Sequence, residues 1–507
     1  MTRWFIDRSP QSGIPSVSLR RLLPDAQFVG CRDWEVSGCT ADTRHLDPGQ
    51  VFVAVRGDQQ DGHAYVGRAL LHGAAGVVVE RPCPEAGRLQ VVVPDSRTAH
   101  GRICHALAGD PSARLRAVGV AGRRGKAAAA AFLRSIGEAH GETVGQVARS
   151  GWSDGAANHP IGPDGMAPHA VARMLATMVD RGCDGAVLEM DDAALERREF
   201  AGLDLDAAIV TRLGDRHPAG PGAIADRRRA AARLFRRVTA GGTTVIDVDD
   251  PDADPLGAVN LDARRVTFGL ERRADVRGII ERFDPSGTRF RLLGFDREAT
   301  VTLRLAGEDH VRHALAAAAV AWARGLPLRA VVDGLEAVDR IPGRLEPVRA
   351  AREWGLDVRV DQARTAPDLA RSLGALRDAG AGRIICVVGA EGHGDRDGRL
   401  ALARVAEAGA DRVVLTSDNP RGEDPDRIFD DLLAGFRRPS RARVEPDRRQ
   451  AIGLALDDAR PGDAVLIAGK GRHAHQVLAD RVVPFDDAEV AARHLAQHRH
   501  APRAASA

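Results

Sequence analysis

The stretch 117-AVGVAGRRGKAAAAAFLRSIGEAHG-141 decides the fold class. It reads as an apolar strand, a glycine-bearing turn and an alanine-rich helix. A turn of this kind aims backbone N–H groups and the positive end of a helix at anionic oxygens, and a lysine beside it adds a point charge. The spacing Gly122-x-x-Gly125-Lys126 therefore reads as a phosphate loop. The positions after the lysine are Ala127 and Ala128, where a phosphate loop normally carries a Ser or Thr hydroxyl for Mg²⁺. On this segment alone, an ordinary glycine turn and a phosphate cradle both remain open.

Outward from this stretch, strand and helix alternate. Strand-like runs follow at 186-AVLEM, 207-AAIVT and 243-TTVIDV, separated by the helical stretches 169-HAVARMLATMVDRG and 224-IADRRRAAARLFRRV. Such alternation favours a largely parallel sheet with helices on its faces. From Arg264 to Leu305 apolar and polar residues alternate, as in 288-TRFRLLGF, which predicts appended antiparallel strands. The helix 309-DHVRHALAAAAVAWARG then leads to a turn at 341-IPGR. Upstream, 51-VFVAV and 76-GVVVE flank the helical 64-AYVGRALLHG and predict a small mixed α/β unit. Downstream, 384-IICVVG, 412-RVVLTS and 464-AVLIAG repeat the α/β rhythm, and the end, 499-RHAPRAASA, reads as a frayed tail. Three domains are expected, at 1–115, 116–342 and 343–507.

Composition narrows the function classes. The 507 residues are 44% hydrophobic and 28% charged with a net charge of +2, which argues for a globular chain and against a dedicated nucleic-acid binder. No apolar run is long enough to span a bilayer, and the start MTRWFIDRSPQSG lacks the apolar region of a secretory signal. A cytoplasmic protein is expected. Six cysteines without CxxC spacing read as reduced packing thiols, with neither a zinc site nor a disulfide frame. Of 72 Lys and Arg residues, only Lys126 and Lys470 are lysines. In so arginine-biased a chain, the two lysines are candidates for places where a compact ammonium is needed, the alternative being chance survival on a solvated surface.

Nearly the whole of 20–492 resembles the Mur ligases, in particular their diaminopimelate-adding branch. The resemblance runs through 41-ADTRHLDPGQVFVAVRGDQQDGHAYVGRALLHGAAGVVVE, the phosphate loop, 203-LDLDAAIVT and 243-TTVIDVDDP. It continues through 342-PGRLEPV, 395-DRD, 412-RVVLTSDNPRGEDPDRIFDDLLAG, 464-AVLIAGKG and 484-PFDDAEVA. It implies an α/β protein of three domains: a small mixed N-terminal domain for the UDP end of a precursor, a central P-loop-type ATPase core, and a C-terminal Rossmann-like domain receiving an amino acid. The implied reaction uses ATP and Mg²⁺ to make an acyl phosphate that an incoming amine attacks. Implied partners are a UDP-muramoyl-peptide-like molecule, an amino acid and other cell-wall ligases, with no nucleic acid.

Carried over position by position, the resemblance assigns Gly122, Gly125, Lys126, Arg344 and Asp361 to nucleotide binding. Lys126, Glu189 and His217 take catalytic roles, and Glu189, Asp191 and His217 are the metal candidates. Arg396, Asp418, Asn419, Arg421 and Gly469 fall to amino-acid binding. The departures are as specific. Ala127 replaces a magnesium-ligating hydroxyl, and Ala231 stands where the family carries a carbamylated lysine. No arginine can substitute there, because carbamate formation needs a deprotonated amine. The family's helix asparagines are His310 and His313, and its ammonium-binding Glu is His473. Two readings follow: an impaired ligase or pseudoenzyme, or an active ligase with a rebuilt metal site in which Glu189 and Asp191 share a strand face.

Overall fold

The computed structural model describes residues 16–497 except 31, 58–59, 163, 215–220, 285–286 and 295. The start and tail whose readings are given above lie outside these residues. Three sheets follow one another along the chain. The first has five strands in the spatial order Gln27–Val29, Gln90–Val92, Gly76–Val79, Val51–Val53 and Cys39–Thr40, parallel except for the first. Helix Ser96–Leu107 packs on this sheet, its N-terminus capped by Asp95, which accepts from the Thr98 amide at 2.9 Å.

The central sheet has eleven strands. Seven run parallel in the spatial order Val144–Ala148, Gly185–Glu189, Arg116–Ala121, Leu205–Val210, Val238–Asp247, Arg264–Gly269 and Val276–Asp284. Short antiparallel strands close one edge, and Gly287–Gly294 and Arg297–Leu303 close the other. This corrects the expectation for 264–305. Arg264–Gly269 is parallel to its neighbours, and antiparallel pairing begins only between Val276–Asp284 and Gly287–Gly294. Residue alternation reports a half-buried strand but carries no information on direction.

Both faces of the parallel strands are buried, so these strands read as continuous apolar runs. One face meets helices Lys126–Ala139, Glu308–Ala323 and Leu328–Ala337, with Phe132, Phe268, Phe290 and Leu315 in the core between them. Ala314 and Ala316 to Ala319 are fully buried on Glu308–Ala323. Small side chains there let the helix lie close to the sheet at little entropic cost. Where Leu328–Ala337 crosses the phosphate-loop helix, a Cβ on Gly334 would come 2.5 Å from the Ile136 Cα. The opposite face is covered by Pro168–Asp180 and Pro221–Phe235 around Met174, Met178, Phe200 and Phe235.

The third sheet has six strands in the spatial order Glu346–Pro347, Asp357–Asp361, Ala464–Ala468, Ile384–Val388, Arg412–Leu415 and Ala442–Val444, all parallel but the first. A fully buried ion pair anchors its last helices. Arg448 donates to Asp487 through Nε at 2.8 Å and Nη2 at 2.7 Å, and Nη2 also reaches the Ala468 carbonyl at 2.9 Å. Removing one partner strands the other's charge in a dry site, which costs about 3–5 kcal/mol. Arg448→Ala is therefore expected to lower the unfolding free energy of the C-terminal unit by about 3–5 kcal/mol, read from denaturant curves followed by tryptophan fluorescence. Combining Arg448→Met with Asp487→Leu is expected to return most of the loss.

Candidate functional site

The carboxyl ends of the central parallel strands converge on one rim, where open α/β sheets bind ligands. The Gly122–Gly125 turn follows Arg116–Ala121, Glu189 ends Gly185–Glu189, Thr211 follows Leu205–Val210, and Asp247 ends Val238–Asp247. The turn requires its glycines. Gly122 has φ +123° and Gly125 φ +84°, and a Cβ on Gly125 would come 1.9 Å from the His313 Nε2. The Lys126 ammonium donates back to the Gly122 carbonyl at 2.8 Å.

A cavity of about 460 Å³ opens between the central and third sheets. Its walls include Gly125, His310, His313, Arg344 and Asp361. The structure thus brings the predicted loop and the predicted Arg344 and Asp361 to one chamber, although the latter two lie far along the chain. Asp361 accepts from the Ser372 hydroxyl at 2.5 Å and the Leu345 amide at 3.1 Å. Burial raises its carboxyl above the usual range against the pull of Ser372 and Arg344. Burial likewise pushes the Arg344 guanidinium down. The rings of His310 and His313 stand edge to face with centroids 6.5 Å apart, and the Nδ1 of each is buried with no hydrogen-bond partner among the described residues. A glycine cradle at a helix N-terminus, an arginine and two unpartnered ring nitrogens around such a cavity fit a nucleotide.

Beside the loop lies a cluster of carboxylates. Glu189 is 6% exposed, accepts from the Gln146 amide at 3.1 Å and lies 3.7 Å from Arg472 of the third domain. Burial raises its carboxyl, opposed by the charges of Arg472 and Lys126. Alternation places Asp191 on the same strand face as Glu189, and the structure corrects this. The strand stops at Glu189, and Asp191 is the N-cap residue of the short helix Asp192–Glu196. It accepts from Arg149 at 2.8 Å and pairs with Lys126 at 3.3 Å. Burial works to raise the Asp191 carboxyl, but the Lys126 and Arg149 charges outweigh it and hold the group low. Asp192, which the sequence reading did not single out, is raised by burial. Ala231 is 1% exposed and packs in the apolar core, with Ala127 against the opposite one. His217 lies outside the described residues.

The amino-acid candidates separate into two layers. Asp418, Asn419 and Lys470 are buried together, the Lys470 ammonium donating to Asn419 at 2.8 Å and Asp418 at 3.2 Å. Burial lowers the Lys470 pKa against the pull of Asp418. Gly469, at φ +114°, admits no side chain easily, because a Cβ would come 3.2 Å from Asp418. Arg396 and Arg421 form the open layer, with side chains 71% and 52% exposed. Arg396 donates to Asp431 at 3.0 Å, and Arg421 lies 3.7 Å from Glu391. Glu391, which also pairs with Arg364 at 3.1 Å and accepts from Asn419 at 3.2 Å, was missed in the sequence because an isolated acid in a loop carries no periodic signal. His473 faces Gln362 at 3.0 Å, and burial lowers its pKa to about 4.

Known proteins resemble the chain over most of its length. Residues 120–321 match the Mur ligase middle domain, and residues 343–471 match the Mur ligase glutamate ligase domain. A UDP-N-acetylmuramoyl-L-alanyl-D-glutamate–2,6-diaminopimelate ligase of Alkalilimnicola ehrlichii is 36% identical, covering 95% of this chain and 99% of the relative. A UDP-N-acetylmuramyl-tripeptide synthetase of a Roseiflexus species is 34% identical over 91% and 95%. A solved UDP-N-acetylmuramoyl-L-alanyl-D-glutamate–2,6-diaminopimelate ligase structure superposes with a TM-score of 0.69 at 26% identity, covering 96% of this chain and all of that one. A Mycobacterium tuberculosis folylpolyglutamate synthase complexed with ADP shares the fold, with a TM-score of 0.60 at 22% identity over 74% and 91%. No helix among the described residues is long and apolar enough to cross a membrane.

The paired histidines generate a pH prediction. Burial lowers His310 to about 3 and His313 to about 4, both from 6.5. Below pH 6.5 the unfolded chain takes up protons that the folded chain refuses, so their contribution to stability is complete above pH 6.5 and is lost as pH falls towards 4. The double variant His310→Asn/His313→Asn is expected to flatten the fall in urea midpoint between pH 6.5 and 4. An unchanged slope would assign the acid sensitivity to other groups.

Proposed function

The chain belongs to the Mur ligase family, and from that premise we propose that it is a cytoplasmic, nucleotide-binding member of the diaminopimelate-adding branch whose ligase chemistry is impaired. The family reaction moves the terminal phosphoryl group of ATP onto a substrate carboxylate. ADP leaves, the amine attacks the resulting acyl phosphate, and inorganic phosphate departs as the amide forms. Binding the nucleotide falls to the Gly122–Gly125 cradle, the Lys126 charge, and the cavity walls at Arg344, Asp361, His310 and His313. Holding the carboxylate of a UDP-muramoyl-peptide against it falls to the rim around Glu189. Arg396 and Arg421, on the rigid base of Asp418, Asn419, Lys470 and Gly469, would receive the amino acid.

One observation carries the impaired reading: the carboxylates expected to hold magnesium are already countercharged by the protein's own cations. Arg472 faces Glu189, while Lys126 and Arg149 share Asp191. The alanine after Lys126 offers no hydroxyl, and Ala231 lies in an apolar core where a carbamylated lysine would need to reach the rim. These residues do not fit the family's magnesium arrangement. Each lost electrostatic contact of this kind removes about 10²–10³ in rate, and such losses are not additive. The alternative, an active ligase with a rebuilt metal site, draws on the three carboxylates Glu189, Asp191 and Asp192 at one strand end.

The deciding assay supplies ATP, Mg²⁺, UDP-N-acetylmuramoyl-dipeptide and diaminopimelate, and follows ADP and tripeptide product beside an intact family ligase. ADP is expected to raise the melting temperature, and product formation is expected to run at least ~10⁴-fold below the intact enzyme. Product at rates near the intact ligase, abolished by Lys126→Ala, would establish the rebuilt site instead. Other cell-wall ligases as partners are part of the same proposal, tested by co-purification from a cell-wall-synthesising lysate with and without ADP.

A further inference from the structure

Cys39, His100 and Cys104 meet in the first domain, away from the nucleotide cavity. Cys39 lies on the edge strand Cys39–Thr40, and His100 and Cys104 lie on helix Ser96–Leu107. A separation of four residues places the latter two on one helix face, directed at the strand. One potential ligand atom from each residue lies within 4.8 Å of the others. The two sulfurs are 3.6 Å apart although their residues are 65 positions apart in sequence. His100 is 7% exposed, and its Nε2 has no hydrogen-bond partner among the described residues.

We propose that Cys39, His100 and Cys104 form a zinc site that ties the edge strand of the first sheet to its covering helix. Two thiolates on a tetrahedral zinc, each bonded at about 2.3 Å, are separated by about 3.8 Å, close to the spacing found here. Soft sulfur and imidazole donors select zinc over magnesium or calcium. Two thiolates and a neutral imidazole balance the charge of a divalent cation, so the complex is neutral where Cys104 and His100 are buried. Binding releases the two thiol protons to solvent. Cys39 is only partly buried, which leaves the fourth position to water. The site also gives the unpartnered His100 nitrogen a role. None of this depends on whether the chain turns over as a ligase.

The test uses the full chain, reduced and stripped with a chelator, then titrated with Zn²⁺ against a chromophoric competitor and separately with Co²⁺. A single equivalent of Zn²⁺ is expected to bind and raise the melting temperature, with Mg²⁺ giving no shift. Co²⁺ is expected to give a near-ultraviolet sulfur-to-cobalt charge-transfer band. Cys39→Ser, on the accessible edge, and Cys104→Ser are each expected to abolish the band and weaken zinc binding by at least ~100-fold, with Cys83→Ser leaving both unchanged. Folding of each variant is checked by far-ultraviolet circular dichroism. Absence of stoichiometric zinc binding to the reduced wild-type chain, or binding that survives Cys39→Ser and Cys104→Ser, would overturn the site. Peptide mapping that finds these two cysteines joined in a disulfide, with no zinc bound after reduction, would overturn it equally.

Discussion

A buried carboxylate must find a positive charge or give up its own, and Glu189 finds one across a domain boundary. It sits at the carboxyl end of a central strand, where apolar neighbours desolvate it and raise its pKa. The guanidinium that faces it belongs to Arg472, in the turn after the strand Ala464–Ala468 of the third sheet. That turn is fixed by close backbone approach. A Cβ on Gly343 would come 2.1 Å from the Arg472 amide nitrogen, and one on Gly471 would come 2.5 Å from the Gln362 side chain. Arg124 of the phosphate loop makes a second bridge, to Asp368 at 2.7 Å. The Arg124–Asp368 pair lines the cavity between the two sheets, and the Glu189–Arg472 pair joins the same two sheets outside its lining.

The same economy explains the two lysines. Both ammonium groups sit between a carboxylate and a neutral oxygen: Lys126 between Asp191 and the Gly122 carbonyl, Lys470 between Asp418 and the Asn419 amide. A guanidinium is planar and wider, and its fixed fork does not fit a pocket shaped for a point charge. Lys470 makes the case most strongly, because it is fully buried. Elsewhere arginine suffices, as at Arg312, which reaches Asp249, Glu308 and Glu271 at once. Chance survival of two surface lysines is thus a poor account of this composition.

Much of this was legible in the residue order. The turn at Gly122–Lys126, the alternating strands and helices and the three α/β units all rest on local chemistry: glycine conformations, apolar periodicity and helix propensity. The direction of Arg264–Gly269 was not legible, because period-two patterning is identical in parallel and antiparallel strands. Nor was the end of the strand at Glu189, which moved Asp191 from a strand face to a helix cap. Within the segment 418-DNPR, Asp418 and Asn419 are buried and Arg421 is open. A sequence states which side chains are polar, and only packing decides which of them meet solvent. The closeness of Cys39 and Cys104 was not legible either, because it is created by a strand and a helix that are remote in the chain.

Arginine enrichment also separates what charge can replace from what it cannot. Guanidinium groups supply counter-ions to Glu189 and Asp191, and such groups can also neutralise phosphate. A guanidinium cannot donate an electron pair to carbon dioxide, and an alanine cannot ligate a cation. The positions that tolerate arginine are those where only net charge matters, and binding depends mainly on these. Ala127 and Ala231 stand where the family resemblance implies groups that bond through a particular atom, and the proposed loss of phosphoryl transfer rests on these. Under the proposed impaired reading, a chain that keeps the first set while exchanging the second retains nucleotide recognition and loses turnover, without disturbing the core packing that both share.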